Sequence, residues 1–142
     1  MTTNRTLTIV KPDAFAAGKA GQIIAHLEKQ GFTIVAAKVV HLDQKRAGEF
    51  YEVHKARPFF SSLVSFMTSG PAMPLVLEKT GAVAALREAI GATDPKEAAE
   101  GTVRKLFAES KERNAIHASD SDENAAREAA FFFQPSEIVG GK

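Results

Sequence analysis

A chain of 142 residues with 44% hydrophobic side chains has the length and apolar content of one globular domain, and a single domain over residues 1–142 is expected. With 18 Lys and Arg against 17 Asp and Glu, the formal net charge is +1, which argues against a nucleic-acid arm. The absence of cysteine excludes disulfides and thiolate metal sites, and no apolar run approaches membrane-spanning length.

The opening Met1-Thr-Thr-Asn-Arg5 has no leader-like charged and apolar regions, so the cytoplasm is the default location. Thr6 to Val10 alternates and is rich in β-branched residues; it predicts a first strand that stops at Lys11-Pro12-Asp13, where proline removes a ladder donor. From Gly21 to Gln30, Ile23, Ile24 and Leu27 share one helical face, and Gly31 follows where a C-terminal glycine is favoured. Phe32 to Leu42 reads as a long second strand. Asp43 then supplies a cap for a helix carrying Ala47, Phe50, Tyr51 and His54.

Pro58 suits the first turn of another helix, whose Phe59, Phe60, Leu63, Val64 and Met67 recur at helical spacing before Gly70-Pro71. The two helices form a hairpin between strands. Pro74 to Glu78 is a third strand, and Val83, Leu86 and Ile90 mark a helix ending near Gly91. Ala92 to Leu106 is polar and weakly periodic, the obvious long functional loop. A short strand at Asn114-Ala-Ile-His117 leads to Ser119-Asp-Ser-Asp-Glu123, a capping cluster with acids in the first turn, which opens a helix to about Phe132. The tail from Gln134 is short and surface-bound. The order predicts an α/β (α+β) sandwich with a ferredoxin-like βαββαβ core, in which a four-stranded antiparallel sheet carries an inserted helical hairpin and a long loop before the last strand.

The common nucleotide-site templates fail. Gly18-Lys19 lacks the upstream glycine of a P-loop, and there is no Gly-x-Gly-x-x-Gly after a strand, no His-Glu-x-x-His and no Gly-x-Ser-x-Gly. What remains is Asn114-Ala-Ile-His117-Ala-Ser119-Asp120-Ser121, a histidine at the end of a strand before a strongly capped helix. This segment resembles the active-site signature of nucleoside diphosphate kinases. The resemblance runs along nearly the whole chain, through Arg5 to Asp13, Tyr51 to His54, Lys55 to Phe60, Ser69-Gly-Pro71, Gly91 to Pro95 and Gly101 to Arg104.

The resemblance implies that His117 is the nucleophile of a ping-pong reaction, taking the γ-phosphoryl of a nucleoside triphosphate and passing it to a nucleoside diphosphate. An imidazole nitrogen is a competent nucleophile near neutral pH, and its phosphoramidate keeps the transfer potential of the anhydride. The resemblance further implies that Glu128 and Ser119 orient His117. It assigns Lys11, Thr93, Arg87 and Arg104 to the phosphates and matches Tyr51 and Asn114 to the family's remaining polar site residues. It also implies that the base stacks on Phe59 with little base specificity, that Mg²⁺ arrives on the nucleotide phosphates, and that the chain forms a homo-oligomer, a tetramer or hexamer before a dimer.

Pattern alone reads several of these residues differently. Phe59 falls in an apolar stripe and reads as core; Lys11 and Arg87 read as solvated charges, and Glu128 as an exposed helix residue beside Arg127. His26, His41 and His54 have no comparable context and stay outside the site. Two positions depart from the family pattern: Leu106 stands where an acid is common, and Ala118 where glycine is usual. The first bears on how the long loop is anchored, the second on whether the backbone there needs a positive φ. The rivals are a silent oligomeric scaffold, an RNA-recognition module on the same core, and a phosphohistidine relay protein. Retained polar site residues oppose the first. Balanced charge and the lack of an aromatic recognition strand oppose the second, and the nucleotide-site residues oppose the third.

Overall fold

The structure, a computed structural model, describes residues 4–111 and 113–139. Residues 1–3 and 140–142, on which the reading of the N-terminus and of the end of the tail falls, lie outside them.

Four strands, β1 (Arg5–Val10), β2 (Thr33–Ala37), β3 (Met73–Glu78) and β4 (Ile116–Ala118), form one sheet in the order β2-β3-β1-β4. Every neighbouring pair is antiparallel. This is the ferredoxin-like arrangement expected from the element order. β1 is central, and Thr6 to Val10 are all buried because helices cover both faces of the sheet.

Alternation along the strands splits the core into two layers. On one face Leu7, Ile9 and Val76 pack with Phe50 of α3 (Gln44–Phe50), Met67 of α4 (Phe60–Met67) and Phe132 of α7 (Asp122–Phe132). On the other, Val10, Leu75 and Leu77 pack with Ile23 and Leu27 of α2 (Ala20–Lys29) and with Leu86 and Ile90 of α5 (Ala82–Ile90). Phe50 is only 1% exposed, and truncating such a side chain to alanine removes about 3–5 kcal/mol. The helix ends follow the sequence signals. Asp43 accepts from Arg46 N–H at the start of α3, Ser121 accepts from Asn124 N–H at the start of α7, and Gly91 ends α5 with φ 89°. No helix among the described residues is long and apolar enough to cross a membrane.

Four expectations are corrected. The second strand is shorter than Phe32–Leu42. Its register shifts between Ile34 and Ala36, and beyond Ala37 there is only the isolated bridge Val40–Ala72. Lys38 N–H donates to the carbonyl of Pro74, so the N–H that proline lacks falls on the β2 side and the ladder cannot continue there. The chain does not simply stop at Lys11-Pro12-Asp13 but forms a one-turn helix, α1 (Pro12–Ala16), with proline in its first turn. The long loop after Gly91 ends in α6 (Val103–Phe107), capped by the Thr102 hydroxyl. The last strand begins at Ile116 instead of Asn114, because a turn at Ala115 delays it.

Candidate functional site

β4 places its side chains alternately. Ile116 and Ala118 point into the α2/α5 layer, so His117 points to the opposite face, where it pairs across the sheet with Ile9. Its ring meets Phe50 edge-on at 5.6 Å and Tyr51 at 6.4 Å. The side chain remains 20% exposed, which leaves one edge open to a ligand.

α7 runs back over this face and brings Glu128 to the histidine. Glu128 Oε1 lies 2.8 Å from His117 Nε2 and accepts from Ser119 Oγ at 2.6 Å. Ser119 is fully buried, its N–H tied to the Leu7 carbonyl, and Arg127 Nη2 stands 3.5 Å from the second Glu128 oxygen. Burial opposes ionisation of Glu128. The hydrogen bond and charge of His117, the Ser119 hydroxyl and Arg127 outweigh that and hold its pKa below the ordinary glutamate value. An ionised Glu128 accepts only, so His117 Nε2 carries the proton. The lone pair of the neutral ring is then on Nδ1.

Cations gather where β1 and β4 end. Lys11 is 8% exposed, and its Nζ donates to Asn114 Oδ1 at 2.9 Å, using one of three donors. The Asn114 amide donates in turn to the Thr93 carbonyl at 3.4 Å. Arg104, from α6, donates to the carbonyls of Gly91 at 3.1 Å and Ile116 at 2.7 Å. Burial and the Arg104 charge pull Lys11 down to about 8, against a partial upward pull from Asp13. Burial and the nearby Arg87 bring Arg104 down to about 10. Arg87, Thr93 and Arg104 line one cavity of about 340 Å³ with Gly91 and Thr102. Repelling cations held this close are the electrostatic complement of a polyanion such as a phosphate chain.

Ala115 has φ 74°, alone among the described residues other than glycine in being left-handed, and it is fully buried. Ile116 N–H donates to the Asn114 carbonyl at 2.9 Å, which closes a positive-φ γ-turn, a strained form. Such a residue costs about 1–3 kcal/mol and persists only where its surroundings enforce it.

The remaining candidate residues form a row of rings. Tyr51 is buried, and its hydroxyl has no hydrogen-bond partner among the described residues; burial and the Glu128 charge push its pKa up. His54 stands 6.5 Å from Tyr51 and 5.7 Å from Phe59. Phe59 is 48% exposed, so the core reading suggested by its stripe does not hold. A cavity of about 660 Å³ between β1, Glu78 and α7 contains none of these side chains.

The sequence of residues 4–138 matches the family model described as nucleoside diphosphate kinase. The chain belongs to the nucleoside diphosphate kinase family. It is 59% identical to the nucleoside diphosphate kinase of Chlorobium chlorochromatii over 135 residues, 95% of this chain and 96% of that protein. Against the Legionella pneumophila (strain Paris) protein of the same name the identity is 56% over 133 residues, 94% of each. A crystal structure of the Aquifex aeolicus nucleoside diphosphate kinase superposes with a TM-score of 0.94 at 48% identity, covering 96% of this chain and 99% of that one.

Within this nucleoside diphosphate kinase fold, both departures find a physical reading. Ala118 is a β4 residue, 7% exposed and packed in the α2/α5 layer. Its φ is not positive, so glycine is not needed there. Leu106 is 53% exposed on α6, and the loop before it is anchored by the Arg104 bonds and the Thr102 cap. His54 lies outside the candidate set, yet it sits between Tyr51 and Phe59. The sequence expected Tyr51 and His54 on one helix, but the helix ends at Phe50 and His54 lies in a separate 3-10 turn, Glu52–His54, that follows Tyr51.

Proposed function

We propose that this chain is a nucleoside diphosphate kinase in which Nδ1 of His117 carries the phosphoryl group between nucleotides. The observation that carries the reading is the short contact of His117 Nε2 with an ionised, Ser119-bound Glu128, on the strand whose start is flanked by the buried Lys11 and the half-buried Arg104. In the first half-reaction the Nδ1 lone pair attacks the γ-phosphorus. The P–N bond forms as the bond to the bridging β-oxygen breaks, and the electron pair leaves on the nucleoside diphosphate. The ring gains positive charge in that step while Nε2–H remains bonded to Glu128. The carboxylate therefore favours the phosphorylated ring as well as the correct tautomer. Attack by an acceptor's terminal β-phosphate oxygen reverses the sequence.

Lys11, Arg104, Arg87 and Thr93 take the phosphates, with Asn114 aiming Lys11, and the Tyr51 hydroxyl, buried and without a partner within the described residues, is left to donate to the transferring group once a nucleotide is bound. A loose transition state spreads charge over the equatorial oxygens, which suits donors placed around it. Phe59, exposed at the mouth, offers a ring on which any base stacks. Mg²⁺ enters as part of the substrate, bound to the nucleotide phosphates. Among the described residues no group of three His, Asp or Glu is placed to hold an ion, whereas the cation cluster fits a phosphate chain. The chain works as a single domain over residues 1–142 and as a homo-oligomer, a tetramer or hexamer before a dimer.

The test is to mix the protein with γ-labelled ATP and Mg²⁺, quench, and chase with GDP. An acid-labile, alkali-stable label that leaves as GTP and is absent in His117→Ala is expected. A well-folded protein that takes no label defeats the proposal. Sedimentation showing only monomer at working concentration defeats the oligomer.

A further inference from the structure

The left-handed turn at Ala115 has a specific cause. β1 and β4 pair through Val10 and Ile116, and the next step would pair Lys11 with Ala115. Half of that pair exists: Lys11 N–H donates to the Ala115 carbonyl at 2.9 Å. In a regular antiparallel ladder Ala115 N–H would return the bond to the Lys11 carbonyl. That carbonyl instead accepts from Phe15 N–H at 2.9 Å, the bond that opens α1. The Ala115 N–H swings away and donates to Asp13 Oδ2 at 3.0 Å. The other Asp13 oxygen is buried and has no hydrogen-bond partner among the described residues. A half-buried carboxylate hydrogen-bonded by one backbone N–H, with its second oxygen buried and unpaired among the described residues, is a poor arrangement for stability alone even with the Lys11 charge nearby, which suggests that the bond has another use.

The turn sets three things in the site. Asn114, just before it, directs its amide to Lys11 Nζ and Thr93. Ile116, just after it, presents the carbonyl that receives Arg104. His117 follows in register with Ile9. We infer that Asp13 is a positioning residue for phosphoryl transfer: its carboxylate holds Ala115 in the left-handed turn that aims Asn114 and brings His117 into place. The inference rests on the kinase reading above. The alternative is that Asp13 acts only as an acid in the first turn of α1, and a change at Ala115 would then not matter.

Glycine adopts a positive φ without the steric penalty of a Cβ, so Ala115→Gly makes the turn independent of the clamp. The experiment compares single-turnover labelling of His117 by γ-labelled ATP in wild type, Asp13→Ala, Ala115→Gly and the double variant, with circular dichroism as the folding control. Asp13→Ala is expected to label at least ~10-fold more slowly, Ala115→Gly within ~2-fold of wild type, and the double variant within ~3-fold of Ala115→Gly, a non-additive recovery. Labelling of Asp13→Ala at the wild-type rate overturns the inference, as does a loss that glycine leaves uncorrected. Should Asp13→Ala alone not fold, the double variant decides: it must fold and label near the Ala115→Gly rate, and failure to do so is fatal. If wild type itself takes no label, the kinase reading fails separately. The clamp is then read from amide exchange at Ala115, expected at least ~10-fold faster in the Asp13→Asn variant, whose amide oxygen is the weaker acceptor; unchanged exchange overturns it.

Discussion

His117 Nε2 lies 2.8 Å from Glu128 Oε1, the same oxygen that accepts the Ser119 hydroxyl at 2.6 Å. One buried carboxylate oxygen thus fixes both the tautomer of the ring and the loop that follows it.

Replacing Glu128 by glutamine keeps the shape and removes the charge. A charge-assisted hydrogen bond is worth about 1.5–3 kcal/mol, so His117 labelling should slow by roughly 10- to 100-fold, read in a rapid-quench assay. The folded pKa of Glu128 is below its unfolded value, so its contribution to stability is present above the usual glutamate range. It is lost as pH falls through the folded pKa. Wild type should therefore lose thermal stability on acidification more steeply than Glu128→Gln; parallel melting curves would contradict this.

Lys11, at about 8 instead of 10.5, predicts an alkaline limb. In free enzyme kcat/KM should fall above about pH 8 as the ammonium is lost. Bound phosphates favour the charged form, so the limb in kcat should lie at higher pH. The folded chain binds fewer protons than the unfolded one between about 8 and 10.5, and stability therefore rises with pH across that window. The shift corresponds to roughly 3 kcal/mol. Lys11→Met should melt higher at pH 7 and lose at least ~10-fold in kcat/KM; a lower melting temperature would count against the burial argument.

Tyr51→Phe should separate stability from activity. A buried hydroxyl without a partner costs about 1–3 kcal/mol, so the variant should be as stable as wild type or up to ~1 kcal/mol more stable by urea titration. Its kcat should fall, because the phenylalanine ring cannot donate to the transferring group. A destabilised variant with unchanged kcat would reverse both assignments.

Phe59→Ala should leave the fold intact, since the ring is half exposed, and raise the KM of every nucleotide alike. Stacking contributes about 1–3 kcal/mol per base, equivalent to roughly 5- to 150-fold. A KM effect confined to purines or pyrimidines would mean that the base is read elsewhere.

The elements that periodicity and capping specify were legible without any tertiary information. α5 and α7 fall where Val83 to Ile90 and the Ser119 to Glu123 cluster place them, because hydrophobic spacing and caps act over one or two turns. α1 and α6 were missed, since five residues are too few to show a helical period. β2 was overextended, because β-branched composition carries no information about where Pro74 will sit in the neighbouring strand.

By itself the sequence determined the layered βαββαβ fold and the family, consequences of local pattern summed along the chain; that the first strand is central and buried throughout was decided by the sheet order. The segments holding His117, Glu128, Ser119 and Lys11 were nameable only through that likeness. Tertiary structure alone decided the exposure of Phe59, the depressed pKa of Lys11, the negative φ of Ala118 and the left-handed φ of Ala115. Each depends on which distant segment comes to lie alongside: the 11–13 segment meets 114–116 only once β1 and β4 have paired, and burial, charge and strain arise at that meeting.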